Sequence, residues 1–169
     1  MTTDAAIAEL LDRQAIMQVL AAYPRAMDRM DLELGRSIFH PEATVDYGEI
    51  FTGTGDGFMD FIGEAHAGFE VTDHHIGAVT ISLDGDRAGS ECYVLVRLRS
   101  RAADGSISDM FTHGRYLDRW ERREGDWRIV HRHYVHTMDE VRTIERTMFD
   151  PVATQDRTDP SYAVLGDLL

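Results

Sequence analysis

A chain of 169 residues, 43% hydrophobic and 28% charged, is long enough for one domain that buries roughly 70% of its unfolded surface, and too short for several. Its net charge of -13 opposes nucleic acid and anionic membrane surfaces, so the expected partner is a small molecule, with no nucleic acid and no membrane. All 17 basic residues are Arg and Cys92 is the single cysteine, which excludes lysine Schiff-base chemistry, a phosphate-loop lysine, a disulfide framework and a thiolate-rich metal site.

The first segment reads as a helix. Ile7, Leu10, Leu11, Ile16, Val19, Leu20, Tyr23 and Met27 recur at three- and four-residue spacing, with Asp4 as the cap. Pro24 is expected to kink or end it, since proline lacks a backbone donor and crowds the preceding turn. Asp31 caps a second short helix carrying Leu32, Leu34, Ile38 and Phe39 and stopped by Pro41. Residues 43–52 read as a short hairpin, and the glycine-rich loop from Gly53 to Gly57 leads into a helix over 58–69.

From Val71 the period changes to two. Strands are expected near 72–83, 87–100, 107–122 and 126–138, separated by turns at Asp84-Gly85, Asp104-Gly105 and Glu124-Gly125. In the second of them Val94, Val96 and Leu98 face one way, and Tyr93, Arg97 and Arg99 the other. A further helix over 139–149 and a polar tail ending in Val164, Leu165, Leu168 and Leu169 complete the chain, with residues 139–169 placed as a possible pocket cap. Helices followed by a long antiparallel meander predict an α+β domain whose sheet wraps round the first helix. The segment from Met1 to Glu9 has no basic flank, and no window reaches the ~20 apolar residues of a membrane span, so a cytoplasmic protein is expected.

Three groups of residues suit proton transfer: Tyr23 with Asp28, the adjacent His74 and His75, and His113 with His131, His133 and His136. A histidine beside a carboxylate moves protons near neutral pH, the acid holding one tautomer and stabilising the imidazolium. His131 and His133 share a strand face, but His136 has the opposite parity and lies with Arg128 and Arg132, so no metal site is expected. No Gly-x-Ser-x-Gly elbow occurs.

The "YPRAMD" run from Tyr23 to Asp28, "DHHIG" from Asp73 to Gly77, "LDGDRA" from Leu83 to Ala88 and "HGRYLDRWERREGDWRI" from His113 to Ile129 resemble SnoaL-like proteins of the NTF2-like superfamily. The likeness covers about residues 5–138, the expected domain being 1–138. Within that superfamily the chain is most similar to scytalone dehydratase, bile-acid 7-alpha-dehydratase and hexachlorocyclohexane dehydrochlorinase. The resemblance implies a cone-shaped barrel of N-terminal helices in a curved, mainly antiparallel sheet, a cofactor-free lyase, and a catalytic set of Asp28, His74, Tyr23 and His113. Asp28 would orient the histidine, His74 act as base, and Tyr23 or His113 assist the leaving group.

Period two by itself points His75 inward, with Val79, Ile81 and Leu83; a bulge near Gly77 would exchange it for His74. The expected substrate is a small apolar, ring-containing, hydroxylated molecule contacting Tyr47, Phe58, Phe61, His75, Phe111 and His136, with Phe39 and Val96 also in the lining. Elimination, retro-aldol C–C cleavage and double-bond isomerisation all remain open on this pair. So does a non-catalytic binding or oligomerising module, because fold alone does not fix function. An epoxide hydrolase of the same superfamily would need an Asp–Arg–Asp arrangement, for which Asp109, Arg97, Arg99 and Asp118 supply only residue types on edges and turns. The outer face, with Tyr93, Arg97, Arg99, Tyr116, Trp120 and Tyr134, suits a homodimer or homotrimer.

Overall fold

In the computed structural model, which describes residues 2–166, four helices accompany one six-stranded sheet. Helix α1 (Thr3–Asp28) is capped by Thr2, whose hydroxyl accepts from the Ala5 N–H, rather than by Asp4. It continues through Pro24 rather than ending there. Proline forfeits one backbone hydrogen bond there, but the last two turns bury Ala22, Tyr23, Arg25, Ala26, Met27 and Asp28, and that packing outweighs the loss. The first turns behave differently: Ile7, Leu10 and Leu11 are exposed, so the buried face begins only at Ile16.

Asp31 caps α2 (Leu32–Ser37) by accepting from the Leu34 N–H. Phe39 and Pro41, expected in and after that helix, belong instead to strand β1 (Phe39–Asp46). The short β2 (Thr52–Thr54) pairs antiparallel with β1, and α3 (Gly55–His66) follows, capped by Thr54. The meander then comprises β3 (Val71–Asp84), β4 (Arg87–Arg101), β5 (Ile107–Arg123) and β6 (Asp126–Ile144). Glu124 and Gly125 both have positive φ, the backbone that a two-residue hairpin turn of matching twist requires.

The helix expected over 139–149 does not form. Asp139 to Ile144 extend β6 and pair with the first residues of β5, from Thr112 back to Ile107. A ready ladder of backbone partners prevails over the helical spacing of a short polar segment. Further along, α4 (Ser161–Leu165) is a single short turn. The tail docks on the end of α1, with Arg25 donating to Ser161 Oγ and the Gly166 carbonyl, and Tyr162 donating to Asp31. Val164 and Leu165 are exposed, while Leu168 and Leu169 lie outside the described residues.

The strand order is β2-β1-β6-β5-β4-β3, with β1 and β6 parallel and every other neighbour antiparallel. The sheet curves around α1 without closing, since β2 and β3 remain its two edges. Among the described residues no helix is long and apolar enough to cross a membrane.

Two consequences of register decide which side chains face α1. Ile76 pairs with Val94 and Val79 with Cys92, so β3 carries one extra residue around Gly77 and Ala78. This bulge puts His74, Ile76, Val79, Ile81 and Leu83 on one face. On β5, Gly114, Tyr116, Asp118 and Trp120 share the inner face with Val94, Cys92, Ser90 and Ala88. Tyr116, Trp120 and Tyr134 are therefore core residues, contrary to their expected place on an outer interface, and of the aromatics proposed for that face Tyr93 alone is exposed.

Candidate active site

Asp28 ends α1, where the last turn is buried against β3. One carboxylate oxygen lies 2.6 Å from His74 Nδ1, and the other accepts the His74 backbone N–H at 3.0 Å. Both side chains are more than nine-tenths buried. Two contacts from one histidine fix the carboxylate, and the carboxylate in turn fixes the ring with Nδ1 as the protonated nitrogen. His74 Nε2 is left without a protein partner among the described residues, and the ring lines a half-open cavity on the inner side of the sheet.

That cavity has a volume of about 380 Å³, within the range of small-molecule sites. Its wall is mostly apolar: Phe58, Phe61 and Ile62 from α3, and Val96, Leu98 and Met110 from the sheet. At its inner end the Tyr23 and Tyr47 hydroxyls are 3.0 Å apart, and the Tyr23 and Tyr116 rings meet edge to face at 5.3 Å. Burial pushes the Tyr47 and Tyr116 hydroxyls well above their ordinary range, so both stay protonated donors. Behind them Arg132 is fully buried, bonded through two nitrogens to Asp118 at 2.7 and 2.8 Å. Its guanidinium sits 4.3 Å from the Tyr23 ring centre and 4.2 Å from that of Tyr116, a positive charge against the faces of two phenols.

The structure thus brings Asp28, His74, Tyr23, Tyr47, Phe58 and Phe61 together. It separates four other expected members. His113 pairs with Leu95 on the opposite face of the sheet. There it lines a groove on the outer face with Tyr93 and Met138. Phe111 is also on that face, between the guanidinium groups of Arg97 and Arg142 at 4.8 Å each. His75 is exposed and paired with Asp73, because the Gly77 bulge gives the inward position to His74. His136 stands at the rim, half exposed, 3.5 Å from the Tyr134 hydroxyl and 3.3 Å from Asp139. His131 bonds Thr44 and His133 bonds Asp46. Among the described residues no group of three or more His, Cys, Asp or Glu is placed to hold a metal ion. Asp109 and Asp118 lie within β5, bonded to Arg99 and Arg132 respectively, rather than on edges or turns.

One residue escaped the sequence reading. His66, the last residue of α3, is buried with its ring 5.7 Å from that of His74. Desolvation, reinforced by the positive charge of a protonated His74, pushes its imidazole down to about 4, while the nearby Met27 carbonyl acts in the opposite direction. The available signal was its spacing from Phe58, Met59 and Ile62 on the buried face of α3.

The protein-family model for the SnoaL-like domain matches residues 8–133. The uncharacterized protein Rv2910c of Mycobacterium tuberculosis (strain ATCC 25618 / H37Rv) is 26% identical over 129 residues, covering 75% of this chain and 86% of that protein. Among solved structures, a scytalone dehydratase-like protein of Novosphingobium aromaticivorans DSM 12444 superposes with a TM-score of 0.71. It is 21% identical and covers 87% of this chain and 97% of its own. Hexachlorocyclohexane dehydrochlorinase LinA-type3 from Novosphingobium barchaimii LL02 has a TM-score of 0.71 and 17% identity, covering 86% of this chain and 99% of that one. At these identities the structural likenesses establish the fold, an NTF2-like one.

Proposed function

Since this chain belongs to the SnoaL-like domain family, we propose that it is a cofactor-independent lyase performing a dehydratase-like elimination on a small hydroxylated cyclic or aromatic substrate. The observation that carries this reading is the Asp28–His74 contact of 2.6 Å at the wall of an apolar cavity. A desolvated carboxylate holding Nδ1–H makes Nε2 the basic nitrogen and stabilises the cation formed when it accepts a proton.

In the proposed reaction His74 Nε2 removes a proton from carbon. The electrons of that C–H bond form the new C=C bond as the neighbouring C–O bond breaks. Tyr23 donates its proton to the departing hydroxide, which leaves as water, and the imidazolium then returns a proton to the tyrosinate. Positioned acid and base of this kind contribute ~10²–10⁴-fold each. Arg132, against the Tyr23 ring, favours the negative charge that Tyr23 acquires transiently. Apolar walls exclude water and strengthen these interactions.

A second reading, isomerisation by proton transfer without loss of water, is favoured by the hydroxyls of Tyr47 and Tyr116. Both are kept protonated by burial and are able to donate to an enolate oxygen.

The test is a screen of hydroxylated polycyclic ketones, steroids and lignin-like diols for products lighter by one water, with Asp28→Asn as the control. Elimination predicts the mass loss with the wild type and its near-absence with the variant. Products of unchanged mass favour the isomerase, and equal turnover by both proteins removes the pair from the mechanism.

A further inference from the structure

Asp28 and His74 are joined to a part of the chain that the elimination scheme leaves out. Arg29, next to Asp28, places Nη1 3.9 Å from the carboxylate oxygen that accepts the His74 backbone N–H. On its other side Arg29 Nε lies 3.4 Å from Asp159 Oδ1, in the C-terminal tail. Asp159 is buried and Arg29 is three-quarters buried. Asp159, Arg29, Asp28 and His74 therefore form a row of alternating charge whenever the imidazole carries a proton.

The sign of each charge fixes its effect on the pair. Arg29 attracts the Asp28 carboxylate and repels an imidazolium beyond it, so by itself it makes His74 harder to protonate. Asp159 offsets that cation, and the row then presents His74 with one net negative charge, the condition in which a carboxylate supports an imidazole base. Resting on the proposal that His74 is the base, we infer that Asp159 is a positioning residue: it holds Arg29 through Nε, balances its charge and so leaves Asp28 free to support the imidazolium.

The tail keeps that carboxylate in place and ionised. Ser161 donates to one Asp159 oxygen from its hydroxyl and its backbone N–H, and the Thr154 N–H donates to the other. These donors hold the Asp159 carboxyl down to about 2. The segment is pinned by Arg25, which donates to Ser161 Oγ, and by Gln155, which donates to the Thr72 hydroxyl two residues before His74. The remaining titratable and charged groups around the pair are engaged elsewhere or neutral. Asp73 pairs with His75 on β3, Arg99 of β4 with Asp109 of β5, and Arg97 stacks on Phe111. Tyr23 of α1 is bonded to Tyr47, and His66 of α3, pushed down to about 4, is neutral near pH 7. Arg29 is thus the cation within ion-pair reach of Asp28, and Asp159 is its counterion.

Nitrogen-15 spectra of the histidine-labelled, substrate-free chain test this through the pH at which the His74 ring signals titrate. Asp159→Asn is expected to move that midpoint down by about half a unit, Arg29→Gln to move it up by a similar amount, and the double variant to return it to within about 0.2 unit of the wild type. Asp159→Glu, which keeps the charge, holds the wild-type midpoint. A tail contact that is only structural predicts otherwise, since the double variant lacks the same anchor as Asp159→Asn and would share its behaviour. A double variant that matches Asp159→Asn, or a midpoint that neither single variant moves, overturns the inference. Should Asp159→Asn fail to fold, Arg29→Gln against the wild type still decides, an unmoved or lowered midpoint overturning it. The measurement needs no turnover, so a screen that yields no dehydrated product removes the lyase reading while the titration judges the charge row separately.

Discussion

His74 meets both oxygens of Asp28 at once, one through its ring nitrogen at 2.6 Å and the other through its own backbone N–H at 3.0 Å. The double contact ties the ring tautomer to the position of β3 against the end of α1. Asp28→Asn preserves the shape but presents the amide to one of these two N–H groups, disturbing the tautomer that leaves Nε2 basic. The expected effect is a fall in kcat of about 10³-fold with KM changed by less than about threefold. Steady-state kinetics on the substrate found by the screen measures it; a loss carried wholly by KM would instead make Asp28 a binding residue.

Arg132 and Asp118 are both fully buried and form two hydrogen bonds. Removing one partner leaves an uncompensated charge in the core, whereas removing both replaces the pair by apolar contact. Asp118→Ala is expected to destabilise the protein by about 3–5 kcal/mol, and the double variant Asp118→Leu with Arg132→Met by much less. Urea unfolding at neutral pH measures both, and a double variant as unstable as the single one refutes the account.

Gly114 lies under the Tyr134 ring. A methyl group there would sit 2.3 Å from one ring carbon and 2.6 Å from the hydroxyl oxygen, so Gly114→Ala must push the ring aside. Tyr134 lines the cavity and stacks on Tyr47 at 5.3 Å. Overpacking predicts about 1–3 kcal/mol of lost stability; thermal unfolding that matches the wild type would show that the ring has room to move.

The buried imidazole of His66 makes stability depend on pH. Its folded value of about 4 lies below the ordinary histidine value of about 6.5 in the unfolded chain, so the unfolded state binds the proton more readily. The contribution of the neutral ring is therefore complete above pH ~6.5, declines as pH falls toward ~4, and is lost below that. The window spans about 3 kcal/mol. Urea unfolding at pH 7 and pH 4.5 should show a smaller difference for His66→Phe than for the wild type.

Much of the fold was legible from local chemistry. The change from helical spacing to alternation at Val71, the Asp31 cap and the glycine turns mark elements whose causes lie within a few residues of each other. The placement of Asp28, Tyr23 and His74 came from resemblance to a family, and alternation alone favoured His75. What reversed that choice is one extra residue near Gly77, visible only as the pairing of Ile76 with Val94 and Val79 with Cys92.

Tertiary structure settled the rest. On β5 each face mixes polar and apolar residues, Phe111 and Leu117 sharing one with Arg115 and Arg119, and Tyr116 and Trp120 sharing the other with Asp118, so alternation alone did not mark which face is outer. Pairing with β4 made Gly114, Tyr116 and Trp120 internal and left His113 and Phe111 on the far side. His66 shows the same division: its helical spacing from Ile62 placed it on a buried face, but only the approach of β3 brought His74 to within 5.7 Å of it. The chain's own order determines which segments are helix and strand, because those preferences arise between near neighbours. Which polar groups share a cavity is decided by register between distant strands, where a shift of one residue moves a side chain from one face to the other.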